Sequence, residues 1–200
     1  MAADGRWNHN IHYHRVVLDA VPPGARTALD VGAGDGLLAR ELRTRMPHVT
    51  AIDIDPDVVA RARTQHPGIT WVLGDVLDHP LDPELFDVVA SVAALHHLPD
   101  LAGGLRRLAE LTAPGGVLAV VGLARSTGLG DVPYEIAGAV QHRVLTRRRV
   151  VWEHSAPTVW PPPHSYAEVR RTAATVLPGV SWRRLAMWRY SLVWTRPREE

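Results

Sequence analysis

Short apolar segments alternate with amphipathic segments over residues 25–124, and this alternation is the feature that most constrains the fold. The apolar segments have the length of β-strands, and residues 36–46 between two of them place leucines at helical spacing. Alternating strands and helices predict a parallel sheet with helices on both faces, whose buried strands carry unbroken apolar runs. The predicted strands of this part are residues 25–32, 49–55, 69–75, 86–92 and 115–123, the last following a predicted turn at 114–116.

The alternation stops after residue 124. Residues 126–164 contain one predicted helix, at about 133–148, and are too long for a simple strand-to-helix connection. We interpret them as a cover over the open end of the sheet. The remaining predicted elements are helices at 7–20, 56–65, 100–112 and 165–176 and strands at 181–188 and 190–196. Ser165 and Glu168 have the spacing of a capping box at the start of the last helix. We expect a single domain made of an N-terminal lid helix (1–24), a core (25–124), the cover (126–164) and a C-terminal helix with a strand pair (165–200).

Charge is unevenly distributed, although the formal net charge is only +1. Residues 1–124 hold 10 Arg and 15 acidic residues, whereas residues 125–200 hold 12 Arg and 6 acidic residues. The basic second part either binds an acidic partner or exposes Arg on solvated helix faces. The chain has no Cys, which excludes disulfides and Cys-ligated metals. It shows neither an apolar leader nor an 18-residue apolar span, so we expect a cytoplasmic protein without a membrane segment.

A glycine-rich turn, DVGAGDG at residues 30–36, follows the first predicted strand and precedes a helix. Glycines at such a point allow a tight turn and close approach of a ligand to the positive end of a helix. Enzymes that bind NAD share this kind of turn, but their fingerprint requires a further glycine at the place of Leu37. The spacing and the acid at Asp30 therefore favour another nucleotide-like ligand.

Two further acidic residues end the next two strands. Asp53 ends the second strand, where a carboxylate can accept hydrogen bonds from ribose hydroxyls; Asp55 is the alternative, although it fits better as a helix N-cap. Asp75 ends the third strand, where a carboxylate can accept an exocyclic amine while the next backbone N–H meets a ring nitrogen. NAD binding does not require an acid at that position. Because ligands of open α/β sheets bind at the carboxyl ends of the strands, we expect these acids to share one site.

Five segments occur in an order that resembles class I methyltransferases dependent on S-adenosyl-L-methionine (SAM): LDVGAGDGLLA, AIDID, VLGDV, FDVVASVAALHHLPD and LTAPGGVLAVV. The resemblance covers about residues 25–124 and is greatest to the small-molecule group that includes ubiquinone-biosynthesis-type and aconitate-type enzymes. It implies a doubly wound, Rossmann-like sheet of seven strands, mostly parallel with an antiparallel last strand. It also implies SAM as methyl donor and S-adenosyl-L-homocysteine as product. We expect no metal, because no clear set of carboxylates accompanies His96 and His97.

The same resemblance implies roles for individual residues. The glycine-rich turn would approach the methionine part of SAM, Asp53 would bind the ribose, Asp75 the adenine amine, and the backbone at Ser91 the cofactor. The predicted cofactor-binding residues are Asp30, Gly32, Ala33, Gly34, Asp53, Ile54, Asp75, Val76 and Ser91.

The predicted acceptor side is rich in histidines and aromatic residues. His96 and His97 follow the fourth strand, where a histidine with a pKa near neutrality can act as a general base or position the acceptor. Positioning alone can suffice, because SAM is already a strong electrophile. The N-terminal segment is either a lid over the cofactor or a polar surface helix, and aromatic residues of the cover either wall a pocket or only pack. The candidates from these two parts are His9, His12, Tyr13, His14, Tyr134, Trp152 and His154.

Three functions remain open on the sequence. The first is methyl transfer from SAM to O, N or C of a small molecule by a monomer or homodimer. The second is methylation of tRNA or rRNA, which the basic run Arg147–Arg149 favours. The Asn/Asp-Pro-Pro-aromatic motif that such enzymes usually carry after the fourth strand is missing, so nucleic acid is the less expected partner. The third is a non-catalytic SAM-binding protein.

Overall fold

The computed structural model describes residues 7–81, 84–98, 100–152 and 160–198. Its strands are β1 (Thr27–Val31), β2 (His48–Asp53), β3 (Thr70–Leu73), β4 (Phe86–Val92), β5 (Thr112–Leu123), β6 (Ser181–Arg184) and β7 (Arg189–Thr195). Its α-helices are α1 (His9–His12), α2 (His14–Ala20), α3 (Leu37–Arg43), α4 (Pro56–Gln65), α5 (Leu101–Leu111), α6 (Val132–Arg148) and α7 (Tyr166–Val176). Two 3-10 turns lie at Leu95–His97 and Leu129–Asp131.

The strands form one sheet in the order β3-β2-β1-β4-β5-β7-β6. Neighbours from β3 to β5 are parallel, whereas β7 is antiparallel to both β5 and β6. The doubly wound sheet with one antiparallel strand confirms the predicted fold class. Strands β2 and β3 lie in sequence order on one side of β1, whereas β4 and β5 lie on its other side. The strand order therefore reverses between β1 and β4. Ligands of doubly wound sheets bind at such a reversal.

Apolar packing covers both faces of the sheet. On one face, Leu105 of α5 and Val169 of α7 pack in a buried cluster with Leu118 of β5. On the other face, Leu42 of α3 and Val59 of α4 belong to a second cluster. Both faces are therefore closed to water, and burial of this apolar area is the main contribution to stability. No helix in the described ranges is long and apolar enough to cross a membrane.

Caps that the sequence indicates are present. The Asp55 carboxylate accepts hydrogen bonds from the N–H groups of Asp57 and Val58, at 2.9 and 3.2 Å, and so caps α4 as predicted. Ser165 and Glu168 form a reciprocal capping box at the start of α7, in which the Ser165 N–H donates to Glu168 at 2.6 Å. These local bonds fix where the two helices begin.

Several predicted boundaries were wrong, and three of them have a clear physical cause. The helix expected at 7–20 is two helices, because the chain leaves helical geometry at Tyr13. Strand β5 begins at Thr112 and includes the expected turn at 114–116, since Gly115 bonds to the Arg196 carbonyl across the sheet. Strand β6 ends at Arg184 rather than 188, because Met187 and Trp188 have positive φ angles and form the turn into β7.

The contact between β5 and β7 gives a stability prediction. A Cβ on Gly122 would lie 2.3 Å from the ring of its cross-strand partner Tyr190, which is fully buried. We expect Gly122→Ala to lower the free energy of unfolding by about 1–3 kcal/mol, because the ring has no room to move. Gly128→Ala, where nothing lies within 4 Å, is the control. Equal urea-unfolding midpoints for both variants would contradict this packing.

Candidate active site

A cavity of about 510 Å³ opens at the carboxyl edge of the sheet. Its walls come from the segments after β1, β2, β3 and β4, from the N-terminal helices, from Trp152 and from the start of β7. Every predicted cofactor-binding residue lines it, namely Asp30, Gly32, Ala33, Gly34, Asp53, Ile54, Asp75, Val76 and Ser91. The topology therefore brings together acids that are up to 45 residues apart in the sequence.

The glycine-rich turn lies against the segment that follows β4. Gly32 has a φ angle of +67°, and a Cβ there would lie 2.3 Å from the Cβ of Ala94. Gly34 has a φ angle of +53°, and a Cβ there would meet nothing within 4 Å. Only glycine adopts such angles without strain. The turn thus packs closely at Gly32 and leaves its backbone at Gly34 open to a ligand.

Asp53 connects two of the cavity's loops. Its carboxylate accepts hydrogen bonds from the Gly34 N–H at 2.8 Å and from the Asp55 N–H at 3.0 Å. A carboxylate has about four acceptor positions, so these two bonds leave capacity for a ligand. On the next strand, Asp75 accepts the Leu77 N–H at 3.0 Å. Both carboxylates are therefore held by backbone donors and face the same cavity.

Asp30 is the most buried acid of the site, with 2% of its surface exposed. Burial raises its pKa to about 7, although a hydrogen bond from the Ala39 backbone opposes the rise and the charge of Asp53 adds to it. Its Oδ2 atom has no hydrogen-bond partner among the described residues. A buried carboxyl oxygen without a partner, in a cavity wall, is a position where a ligand donor would be stabilised.

His96 and His97 line the cavity beyond β4, with their ring centroids 4.1 Å apart. His96 is only 8% exposed, and its Nδ1 has no partner among the described residues. Burial, with smaller contributions from His97 and Arg189, lowers the pKa of His96 to about 4. The imidazole is therefore neutral at pH 7. The pKa of His96 lies below the near-neutral value expected from the sequence for a general base.

The N-terminal helices contribute a different set of residues from the one predicted. Of the four candidates there, only His14 lines the cavity. His9 instead lies 2.8 Å from His142 of α6, His12 packs edge-on against Tyr13, and the Tyr13 hydroxyl donates to the Ala186 carbonyl at 2.9 Å. The residues that line the cavity beside His14 are Asn8, Asn10 and Ile11. We attribute this difference to the break between α1 and α2 at Tyr13, which changes the residues that face the cavity.

The cover contributes Trp152 to the cavity wall. Its backbone N–H donates to the Trp7 carbonyl at 2.9 Å, so cover and N-terminal segment are joined beside the cavity. Tyr134 does not line the cavity, because its ring packs against the Arg184 guanidinium at 4.6 Å. His154 lies outside the described residues.

Arg189 lines the cavity and was not predicted from the sequence. It is the first residue of β7, opposite Leu123 at the end of β5. The only sequence signal is one basic residue between apolar neighbours at the start of a strand. That signal does not indicate a cavity residue by itself, because it depends on the position of β7 beside β5 in the sheet.

Comparison with known proteins identifies the family. An uncharacterized methyltransferase of Mycobacterium tuberculosis is 42% identical over 199 residues, which is 97% of this chain and 99% of that protein. The family described as "Methyltransferase domain" matches residues 29–120.

This chain is a class I SAM-dependent methyltransferase.

More distant relatives agree with this assignment. The malonyl-acyl-carrier-protein O-methyltransferase of Serratia marcescens is 33% identical over 112 residues, covering 55% of this methyltransferase and 44% of that enzyme. Among solved structures, a SAM-bound amino pentose methyltransferase from Micromonospora echinaspora superimposes with a TM-score of 0.64 at 20% identity, over 95% of this chain and 92% of that one. The structural likeness shows a shared fold.

The burial of Asp30 gives a pH prediction for the ligand-free enzyme. The folded protein retains the Asp30 proton up to a pKa of about 7, whereas the unfolded chain loses it near pH 4, so the free energy of unfolding falls as pH rises between these values. We expect Asp30→Asn to raise the free energy of unfolding by about 2 kcal/mol or more at pH 8 and to change it little at pH 4. Asp57→Asn, at an exposed position, is the control. Urea unfolding that gives the same difference at both pH values would contradict a buried, protonated Asp30.

Proposed function

We propose that this methyltransferase transfers the methyl group of SAM to O, N or C of a small molecule. The observation that carries the proposal is the volume of the cavity, which at about 510 Å³ falls in the range of about 300–1,000 Å³ typical of small-molecule sites. Asn8 and Trp152, joined by a 3.4 Å hydrogen bond, lie in its wall. A nucleic acid would need an open basic groove, yet Arg189 is the only Arg or Lys among the described lining residues.

We assign the nucleoside part of SAM to the loops after β2 and β3. Asp53 would accept hydrogen bonds from the ribose hydroxyls with the capacity that its two backbone bonds leave. Asp75 would accept the adenine amine, and the N–H of Val76 would meet a ring nitrogen. Ile54, which is 69% exposed and borders the cavity, would cover one face of the adenine.

We assign the methionine part of SAM to the loop after β1. The open backbone at Gly34 and the unpartnered oxygen of Asp30 are suited to its polar groups, and Ser91 near the end of β4 also lines this part of the cavity. SAM supplies a methyl group activated by the positive sulfur. The protein's task is then to exclude water and to align the acceptor atom with that methyl group.

His96 is the residue that we place beside the acceptor. Its pKa of about 4 makes it a weak base at pH 7, so we propose that it positions the acceptor by hydrogen bonding rather than by taking a proton. His97 packs on it and holds its ring. Curated relatives named for small-molecule O-methylation, such as the ubiquinone biosynthesis O-methyltransferase of Xylella fastidiosa, 37% identical over 113 residues, support this type of acceptor.

The direct test incubates the protein with SAM labelled in its methyl group and a low-molecular-weight extract of bacterial metabolites. The proposal predicts label in one or a few small products. Label in tRNA or rRNA added in a parallel reaction, and none in the small molecules, would instead support the nucleic-acid alternative. SAM binding without transfer to any acceptor would favour a non-catalytic protein.

The role assigned to Asp53 predicts the effect of its removal. We expect Asp53→Ala to raise the dissociation constant of SAM by about tenfold or more, since charge-assisted hydrogen bonds are worth about 1.5–3 kcal/mol. Isothermal titration of each variant with SAM measures this dissociation constant. Asp57→Ala, on the exposed side of α4, should leave the constant unchanged. Equal affinities for Asp53→Ala and the unaltered protein would remove Asp53 from the ribose site.

The role assigned to His96 predicts a modest kinetic effect. We expect His96→Gln to lower kcat by about tenfold, less than the factor of about 10²–10⁴ that loss of a general base costs. Because the His96 pKa of about 4 lies below the assay range, kcat of the unaltered enzyme should show no His96 ionisation between pH 6 and 8. His48→Gln, at the exposed far end of β2, is the control. A kinetic pKa near 6.5 that disappears in His96→Gln would show that His96 is the base.

A further inference from the structure

Arg189 is a charged side chain buried in the wall of the cavity. It begins β7 and is only 7% exposed. Its Nη2 donates to Asn10 Oδ1 at 2.9 Å, and its Nη1 makes a long contact of 3.4 Å with the Met187 carbonyl. Its Nε is buried without a hydrogen-bond partner among the described residues. A guanidinium has five N–H donors, so most of this one's donor capacity is unused.

Arg189 has no acidic partner in the part of the chain that the structure describes. None of the ion pairs there includes it. Arg184 on β6 makes a useful contrast, because its largely buried side chain is paired with both Asp131 and Glu135. A buried cation without a counter-charge destabilises the fold. An anion that enters the cavity would remove this penalty.

The groups around Arg189 do not supply that counter-charge at neutral pH. Burial raises the pKa of Tyr13 above its usual value and that of Tyr166 to about 12, so both phenols are neutral. The pKa of His96 is lowered, in part by the charge of Arg189 itself. Burial lowers the pKa of Arg189 only to about 10, so the guanidinium stays charged at pH 7.

The sheet separates Arg189 from the acids of the cofactor side. Strand β7 lies three positions from β1, which carries Asp30, and four from β2, which carries Asp53. At about 4.8 Å per strand these steps correspond to roughly 14 and 19 Å. His96, which follows β4, lies between the two ends. Acids thus line one end of the cavity and the Arg189 guanidinium lines the other.

We propose that Arg189 binds a carboxylate of the methyl acceptor, so that the substrate class is small organic acids. This inference rests on the proposed function for its identification of the β7 end as the acceptor side. A single cation matches the single charge of a carboxylate, and the planar guanidinium can bind it through two hydrogen bonds. Apolar residues of the same cavity, including Leu123 opposite Arg189 and Leu98 after β4, suit the hydrocarbon part of such an acid.

A carboxylate at Arg189 has two conceivable sources, the acceptor and the methionine part of SAM. Titrations with the enzyme saturated with S-adenosylhomocysteine separate them, because the homocysteine part of that product keeps the amino-acid carboxylate of SAM. The probes are straight-chain carboxylates from acetate to octanoate, each compared with its uncharged amide by isothermal titration. The unaltered enzyme should bind the best carboxylate at least about tenfold more tightly than its amide.

Substitution then assigns this preference to one residue. Arg189→Met, which keeps a similar volume without the charge, should abolish the preference while the affinity for S-adenosylhomocysteine stays within about twofold. Arg189→Lys keeps the charge and should retain part of the preference, which covers the case in which the Met variant fails to fold. Arg183→Met, on the exposed side of β6, is the matched control and should retain all of it.

The outcomes separate the inference from the proposed function. No preference for carboxylates in the unaltered enzyme, or the same preference in Arg189→Met, would overturn the inference. A large loss of S-adenosylhomocysteine affinity in Arg189→Met and Arg189→Lys would assign the arginine to the cofactor and also overturn it. These titrations measure binding without turnover. A failure to find any methylated small molecule would therefore count against the proposed function, whereas the carboxylate site would still be judged by the titrations alone.

Discussion

Burial of both faces of the sheet is the constraint on which the rest of the structure depends. Helices cover the two faces with apolar clusters, so polar groups of the core strands are tolerated mainly where the strands end. Parallel strands end at one edge, and the return of the chain from β3 to β4 leaves a cleft there beside β1. Asp53 then joins two loops of this cleft through its bond to the Gly34 N–H.

The resulting cavity is polarised along the edge of the sheet. Carboxylates of β1 and β2 lie at one end, a neutral histidine follows β4, and the guanidinium of Arg189 lies at the other end. SAM carries its amino group toward the acids in the arrangement that we propose, which leaves the arginine to an anionic acceptor. Arg189 would bind the carboxylate, while the reacting atom of the acceptor would lie beside the neutral His96, whose low pKa suits it to hydrogen bonding rather than to proton removal.

Those parts of the structure that depend on interactions between residues close together in the chain could be predicted from the sequence. The bounds of β4, the cap at Asp55 and the capping box at Ser165 follow from local pattern and were found as expected. The residues that line the acidic end of the cavity could be predicted because they directly follow strands whose order is typical of the fold. The residues that line the other end could not, since their positions depend on contacts between distant segments. Strand β7 inserts between β5 and β6 and brings Arg189 to the cavity, where Arg189 donates to Asn10 of the N-terminal segment.

A crystal structure with S-adenosylhomocysteine bound tests the central claim most directly, which is that the cofactor occupies only the acidic end of a shared cavity. We predict adenine beside Asp75, ribose hydroxyls on Asp53, the homocysteine part over Gly32–Gly34, and the sulfur facing His96 with the space next to Arg189 outside the ligand. A ligand whose homocysteine carboxylate lies on Arg189, or whose ribose does not reach Asp53, would contradict the account.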